Sequence, residues 1–169
     1  MAGSSRFLKK DLGAECTLSC AGAGSRDPDT VYRIIHSAIG DVGVVRSREK
    51  GLLRRIFLPS RSSSLRETIA AAFPGAGADR SDEDPLYTRL RALLAGAAVD
   101  FPFDCLDITG VGGFARRVLA TNHAIPRGRV MTYGGMAARL GIPGGARAVG
   151  TVMARNPFPL IVPCHRVVG

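Results

Sequence analysis

The sequence has no tryptophan, and aromatic residues make up only 6% of its 169 residues. It also lacks an apolar run near the roughly 18 residues that a membrane-spanning helix requires. The N-terminus has no continuous apolar segment of the kind found in secretory signals. These absences argue against a membrane protein and against secretion. We therefore expect a cytoplasmic protein, or a nuclear one if its source is a eukaryote.

Cysteine is scarce as well. The four cysteines are Cys16, Cys20, Cys105 and Cys164. Their spacing matches neither a zinc site nor a haem-attachment motif, and a reducing compartment would keep them as thiols. We predict no disulfide framework and no metal or haem site built on these cysteines.

Acidic residues are fewer than basic ones. The sequence has 14 Asp and Glu against 23 Lys and Arg, which gives a net charge of +9. Such an excess of cations favours a polyanionic partner, since Lys and Arg bind phosphates. On charge alone, a basic surface that serves only solubility is as good an explanation. The hydrophobic content of 46% is ordinary for a globular protein with a buried core.

The hydrophobic pattern divides the chain into a leader and two domains. Residues 1–29 show no periodicity, which predicts a disordered leader. Residues 30–107 predict three short strands in a meander, then helices at 64–73 and 82–96. Residues 108–169 predict a helix and then a helix-turn-helix outline with its turn at residues 141–145. We expect an α+β fold with two domains. The N-terminal domain is a small antiparallel sheet with helices, and the second is helical and winged-helix-like and contains the helix-turn-helix.

The second helix of that motif has faces of different character. Val149 and Val152 are spaced for burial, and Arg147 and Thr151 flank a strip of small side chains. The strip consists of Ala146, Gly150 and Ala154. It would let a nucleic-acid groove approach the helix backbone closely. Packing of small residues against another helix, with Arg147 in solvent, would also explain it.

The chain ends in NPFPLIVPCHRVVG. Asn156 stands before a proline and so ends the helix, and its amide is free to brace the following turn or only to cap the helix. Residues 160–162 predict a short buried strand that leads to Cys164. In an extended segment, consecutive side chains point to opposite sides, so we expect His165 to act on Cys164 through a turn or a bridging water.

Cys164 itself has two interpretations. A free cysteine is often only a small buried hydrophobe. A reactive thiol needs a nearby cation or base, which His165 and Arg166 supply.

Three motifs, TYGGMAARLG, ARAVGTVMARNP and PCHRVVG, together resemble the O6-alkylguanine-DNA alkyltransferases, also called methylated-DNA–protein-cysteine methyltransferases. The resemblance is clearest over residues 114–169 and compatible over about 31–103. It implies a DNA repair protein that binds the minor groove of double-stranded DNA and flips an O6-alkylguanine out of the duplex. The alkyl group would then pass irreversibly to the protein's own Cys164, once per molecule and without a cofactor.

The resemblance also implies catalytic roles. His165 would accept the proton of Cys164, and the Tyr133 hydroxyl would donate a hydrogen bond to the leaving guanine. Asn156 would join the recognition helix to the active-site segment. The flipped base would meet Tyr133 and the backbone of Val167.

The implied DNA-binding residues cluster on the helix-turn-helix. Arg147 would fill the gap left by the flipped nucleotide. The full set is Thr132, Ala146, Arg147, Ala148, Gly150, Thr151 and Met153.

Members of this family continue for a few tens of residues beyond the position of Gly169, with a loop over the base and a glutamate that orients the histidine. On this comparison the sequence is short at its C-terminus. We expect His165 to be held less firmly and three side chains to be exposed: Ile161, Val162 and Val167.

Two functional classes stay open. One is a single-turnover alkyltransferase, and the other is a protein that binds and shields alkylguanine without repairing it. The intact Cys164 favours the first, because binding-only relatives replace that cysteine. We expect a monomer with no membrane partner.

Overall fold

The computed structural model describes residues 27–60, 64–81 and 84–169, so the predictions for residues 1–26, Cys16 and Cys20 among them, lie outside it. The predicted meander is confirmed. Its strands are β1 (Thr30–Ile35), β2 (Val42–Ser47) and β3 (Leu53–Phe57), paired antiparallel in that order. The run VGVVRS of β2 is buried throughout because this strand lies inside the sheet.

A fourth strand, β4 (Gly77–Ala78), pairs in parallel with β1 and gives the sheet order β3-β2-β1-β4. The sequence did not predict it, because residues 74–77 read as a turn. Two residues are too few to show a period of two. The sheet is therefore mixed rather than purely antiparallel.

The two helices of this half are α1 (Leu65–Ala72) and α2 (Pro85–Leu94). On α1, Ile69 is fully buried in a small cluster under the sheet. The carboxylate of Asp84 caps α2 by accepting from the backbone N–H of Leu86 at 2.8 Å. Both helices were predicted, and the α+β class is confirmed.

A buried ionic network links β2 to α2. Arg46 lies 2.7 Å from Asp79 and 3.0 Å from Asp84, and the Tyr87 hydroxyl donates to Asp79 at 2.7 Å. Burial alone would raise the pKa of Asp79, but hydrogen bonds from Ser81, Tyr87 and Arg46 outweigh it and hold this pKa well below 3.8. The network adds ionic contacts to the hydrophobic core that β2 and α2 share.

A second ionic cluster surrounds Arg54 on β3. Its guanidinium pairs with Asp27 and Asp29, which the sequence placed in the leader, and with Asp107 at 3.4 Å. Asp29 also accepts from the hydroxyl of Ser47 at 2.6 Å. Residues 27–29 are thus tied to the sheet.

The second half begins with α3 (Gly113–His123), on which Val118 and Leu119 are fully buried as predicted. The helix-turn-helix follows as predicted, with α4 (Tyr133–Arg139) and α5 (Ala146–Ala154). A two-residue strand, β5 (Met131–Thr132), precedes α4 and pairs in parallel with β6 (Val167–Val168). This small sheet was not predicted.

The strand predicted at residues 160–162 is wrong, because these residues form a turn. Leu160 has a φ of +75°, and the Val162 N–H donates back to the carbonyl of Phe158 at 2.8 Å. Two prolines, Pro157 and Pro159, fix φ and remove backbone donors, which prevents a ladder here. A one-turn 3-10 helix, Cys164–Arg166, follows, and we name it the cysteine turn.

The two halves share one hydrophobic core, which runs from the sheet through α2 and α3 to the cysteine turn. A backbone hydrogen bond crosses between them at the outer edge of β3, where Ile56 N–H donates to the carbonyl of Pro157 at 2.9 Å. On the same edge, within the first half, Asp107 N–H donates to the carbonyl of Leu53 at 2.7 Å. The predicted boundary between two domains near residue 107 remains a prediction. In the described part of the chain, no helix is long and apolar enough to cross a membrane.

Candidate active site and nucleic-acid interface

The cysteine turn presents Cys164 at the margin of the core. Its side chain is half-buried, and its backbone N–H donates to the carbonyl of Val162 at 2.9 Å. The turn closes where Arg166 N–H donates to the carbonyl of the buried Pro163, also at 2.9 Å. Neighbouring residues of a 3-10 helix are about 120° apart, not 180° as on a strand. The extended backbone expected at Cys164 and His165 is therefore wrong, and the action of His165 through a turn or a bridging water stays a prediction.

His165 is exposed on this turn. Partial burial and, secondly, the positive charge of Arg166 lower the pKa of its imidazole below the usual 6.5. Such a histidine is mainly neutral at physiological pH and able to accept a proton. A thiol with a neutral imidazole as its sequence neighbour can yield the thiolate that nucleophilic chemistry needs.

Arg166 holds the exit of the cysteine turn. Its half-buried guanidinium donates to the carbonyl of Ile125, at the end of the α3 segment, at 2.6 Å. Sequence reasoning gave Arg166 only a general role as a cation near Cys164. No sequence signal could have shown this bond, because a backbone carbonyl distant in the chain accepts it.

Asn156 fixes the segment that leads into the cysteine turn. Its side-chain N–H2 donates to the carbonyl of Val162 at 2.8 Å, and its side-chain carbonyl accepts from Phe158 N–H at 3.0 Å. Of the two roles left open by the sequence, this geometry supports bracing of the turn. The side chain fixes the path from α5 to Cys164.

Tyr133 is the first residue of α4 and is half-buried against the shared core. The preceding Thr132 caps the helix, as predicted, by accepting from Gly135 N–H at 2.9 Å. The ladder between β5 and β6 brings the start of α4 next to β6, the strand that follows the cysteine turn. Tyr133 and Cys164 thus pack on the same core cluster, although they are distant in sequence.

The strip of small residues on α5 serves packing at its centre. A Cβ placed on Gly150 would lie 3.9 Å from two ring carbons of Tyr133, so that ring covers Gly150. Ala154, at the end of the strip, is exposed. A Cβ at that distance would make an ordinary van der Waals contact, so packing against Tyr133 does not require glycine here.

The predicted DNA-binding residues divide by burial. Arg147 is exposed at the start of α5, and Val149 and Val152 face the core as predicted. Met153 is only 5% exposed and belongs to the core, so the structure removes its side chain from the predicted interface. It follows Val152 on the helix side that packs inward. The other members of the set are half-buried or exposed: Thr132, Ala146, Ala148, Gly150 and Thr151.

The predicted exposure of Ile161, Val162 and Val167 is wrong. Their exposed fractions are 6%, 0% and 4%, because all three pack into the shared core beneath the cysteine turn. The backbone of Val167 lies in β6 opposite Met131.

The other described thiol, Cys105, lies in a short 3-10 helix at Phe103–Cys105. Burial and, secondly, the charge of Asp104 raise its pKa, which disfavours the thiolate. The setting of Cys105 therefore makes it a poor nucleophile. Within the described ranges, no group of three His, Cys, Asp or Glu side chains could hold a metal ion.

Comparison with known proteins agrees with this geometry. The model of the DNA-binding domain of 6-O-methylguanine DNA methyltransferase matches residues 113–169, which include the helix-turn-helix and the cysteine turn. A methylated-DNA–protein-cysteine methyltransferase of Methanothermobacter thermautotrophicus is 45% identical over 83 residues, which are 49% of this chain and 46% of that protein. The protein of the same name from Mycobacterium tuberculosis is 36% identical over 143 residues, covering 82% of this chain and 78% of the relative.

Solved structures extend the likeness to both halves. The crystal structure of the Mycobacterium tuberculosis O6-methylguanine methyltransferase has a TM-score of 0.64 at 29% identity, covering 83% of this chain and 79% of that one. The structure of Mycobacterium tuberculosis OGT in complex with DNA gives 0.62 at 29% identity, covering 82% and 78%. With relatives that match it across both the sheet and the helix-turn-helix, the chain belongs to the methylated-DNA–protein-cysteine methyltransferase family.

Proposed function

We propose that this protein repairs O6-alkylguanine in double-stranded DNA by transferring the alkyl group to its own Cys164. The observation that carries the proposal is the cysteine turn, which joins a half-buried thiol to a neighbouring imidazole whose pKa is lowered. The turn belongs to the region that matches the DNA-binding domain of the family.

The chemistry balances without a cofactor. His165 takes the proton of Cys164, and the thiolate attacks the alkyl carbon. A sulfur–carbon bond forms as the bond from that carbon to O6 of guanine breaks, and its electron pair stays on the base. The Tyr133 hydroxyl donates a hydrogen bond to the guanine as negative charge develops there. The thioether on Cys164 is stable, so each molecule acts once.

Access to the alkyl carbon requires the guanine to leave the base stack. The helix-turn-helix binds the minor groove, and Arg147 enters the space that the flipped nucleotide vacates. Arg147 is suited to this role because it is exposed beside residues with small side chains, Ala146 and Gly150. The net charge of +9 adds contacts to phosphates. We further propose that the protein acts as a monomer in the compartment that holds the cell's DNA.

Intact-mass and peptide-mass analysis after incubation with a duplex containing O6-methylguanine tests the proposal. We expect the wild-type protein to gain one methyl group, located on Cys164. Cys164→Ser should gain none and still bind the duplex, whereas the matched thiol variant Cys105→Ser should react like wild type. A wild-type chain that binds the lesion and gains no mass would favour a shielding role instead.

Binding should also weaken as salt concentration rises, because phosphate contacts release counterions. Affinity for duplex DNA measured by fluorescence anisotropy over a salt series checks this. An affinity that does not change with salt would remove DNA from the proposal.

A further inference from the structure

Arg166 contacts a different part of the fold from the residues beside it. Its guanidinium donates a 2.6 Å hydrogen bond to the carbonyl of Ile125, which is buried and whose own N–H is bonded to the carbonyl of Asn122. The acceptor therefore sits on a rigid part of the core. A hydrogen bond from a charged donor to such an acceptor is among the stronger ones in proteins.

The bond completes a pair of anchors around the cysteine turn. Asn156 fixes the segment that enters the turn through Val162, and Arg166 fixes the residue at which the turn ends. After Arg166, the chain is held by the two-residue ladder of β6 with β5 and by the burial of Val167. Loss of Arg166 would therefore remove the side-chain anchor at the end of the cysteine turn and leave that of Asn156 at its start.

Arg166 also sets the charge next to the imidazole. Of the charged side chains in the described residues, it is the one whose charge acts on His165, and partial burial acts in the same direction. A guanidinium keeps its charge at every physiological pH. It therefore disfavours the imidazolium form of His165 and leaves the ring able to accept a proton.

We propose that Arg166 is a positioning residue for alkyl transfer, which pins the cysteine turn to the carbonyl of Ile125. The proposal rests on the proposed function for the reaction it serves. Pinning the turn needs a hydrogen-bond donor, whereas the action on His165 needs a positive charge, so the two effects are separable.

Three substitutions separate them. Arg166→Gln keeps a donor and removes the charge, Arg166→Lys keeps the charge and loses the forked donor, and Arg166→Met removes both. Arg91→Met is the matched control, since Arg91 is exposed on α2 and its loss changes net charge equally. For each variant, NMR titration gives the pKa of His165, and quenched single-turnover reactions give the transfer rate against pH.

The charge effect predicts that the pKa of His165 rises toward 6.5 in Arg166→Gln and Arg166→Met and stays at the wild-type value in Arg166→Lys. The pH below which the transfer rate falls should rise by the same amount as the pKa of His165. The anchoring effect predicts a plateau rate that falls about 10- to 100-fold in Arg166→Met, as for small displacements of reacting groups. Arg166→Lys should recover part of this loss, and Arg91→Met should match wild type in both measurements.

A wild-type plateau rate in a folded Arg166→Met variant would overturn the proposal, because that side chain cannot donate to the carbonyl of Ile125. So would a lowered melting temperature with both readouts unchanged, because that result assigns Arg166 to stability alone. If Arg166→Met fails to fold, the Gln and Lys variants decide. A wild-type protein that transfers no alkyl group would count against the proposed function. The action of Arg166 on His165 could still be tested in that case, because the NMR titration needs no substrate.

Discussion

Asn156 donates its side-chain amide to the carbonyl of Val162 at 2.8 Å and thereby closes the turn that leads from α5 to Cys164. Its carbonyl oxygen accepts from Phe158 N–H at 3.0 Å. One side chain thus satisfies two backbone groups in a segment where prolines leave few other donors.

Asn156→Ala should lower the free energy of unfolding by about 1–3 kcal/mol, because it leaves the Phe158 N–H without its partner and removes one of the two donors to the Val162 carbonyl. It should also slow alkyl transfer, since the path to Cys164 loosens. Thermal denaturation and single-turnover rates check both effects. Asn156→Asp is the informative comparison, because it can still accept from Phe158 but cannot donate to Val162. Wild-type transfer in that variant would show that the bond to Val162 does not matter.

Arg147→Ala should weaken binding to lesion-containing duplex and slow transfer without destabilising the protein. Arg147 is exposed and lies in the first turn of α5, where the helix dipole disfavours a cation, so its removal costs no stability. Anisotropy and transfer at limiting protein measure the effect. Arg91→Ala changes the net charge equally. Equal losses of duplex affinity and transfer rate in the two variants would show that Arg147 acts only through its contribution to the net charge.

Gly145→Ala should disrupt the turn between α4 and α5. A Cβ at this position would lie 2.9 Å from the carbonyl oxygen of Ile142 and 2.7 Å from its Cδ1, and the backbone oxygen cannot move aside cheaply. We expect a loss of about 1–3 kcal/mol. Gly134→Ala is the control, because that site in α4 has open space and alanine favours helix. A melting temperature for Gly145→Ala equal to that of the control would contradict the steric argument.

Asp79→Asn should destabilise the protein by about 3 kcal/mol at neutral pH, because it removes the main partner of the buried Arg46. The pKa of Asp79 is lowered on folding, so its ionised form stabilises the native state above about pH 3.8, and this contribution is lost as pH falls below that value. Urea denaturation at several pH values should show a constant gap from wild type above pH 5 that narrows in acid. A gap that widens in acid would reverse the assigned sign.

Asn122→Leu should stabilise the protein. Asn122 is fully buried in α3, and neither atom of its side-chain amide has a hydrogen-bond partner among the described residues. Replacing an unsatisfied buried amide with an apolar side chain of similar size should gain about 1–3 kcal/mol. A rise in melting temperature checks this, with Asn122→Ala as the variant that removes the amide but leaves a cavity. A fall in Asn122→Leu would mean that the amide is satisfied.

Much of the fold could be predicted, because the residues that form it follow regular periods. The meander, α2 with Pro85 and Asp84 at its start, and the helix-turn-helix with the Thr132 cap all depend on local signals. The short strands β4, β5 and β6 could not be predicted, since two residues show no period and exist only through a partner distant in the chain.

At the candidate site, the motif located Cys164, His165 and Asn156, but the backbone between them was predicted wrongly. Leu160, Ile161 and Val162 look like a strand because they are apolar, but they form a turn in which Ile161 and Val162 are buried and Leu160 is half-buried. The comparison with longer family members led us to expect exposed residues beneath Cys164, where the structure has core. The contact of Arg166 with Ile125 had no signal at all.

The contact between Ile56 N–H and the Pro157 carbonyl bears on how this protein avoids aggregation. A free strand edge is a template for pairing with other chains. Here, Leu106 and Asp107 cover the outer edge of β3 at Leu53, and Pro157 covers it at Ile56. A fragment cut near residue 107 would lose Pro157 and free the edge of β3 at Ile56 for strand addition. The second half of the chain therefore also protects the sheet from self-association.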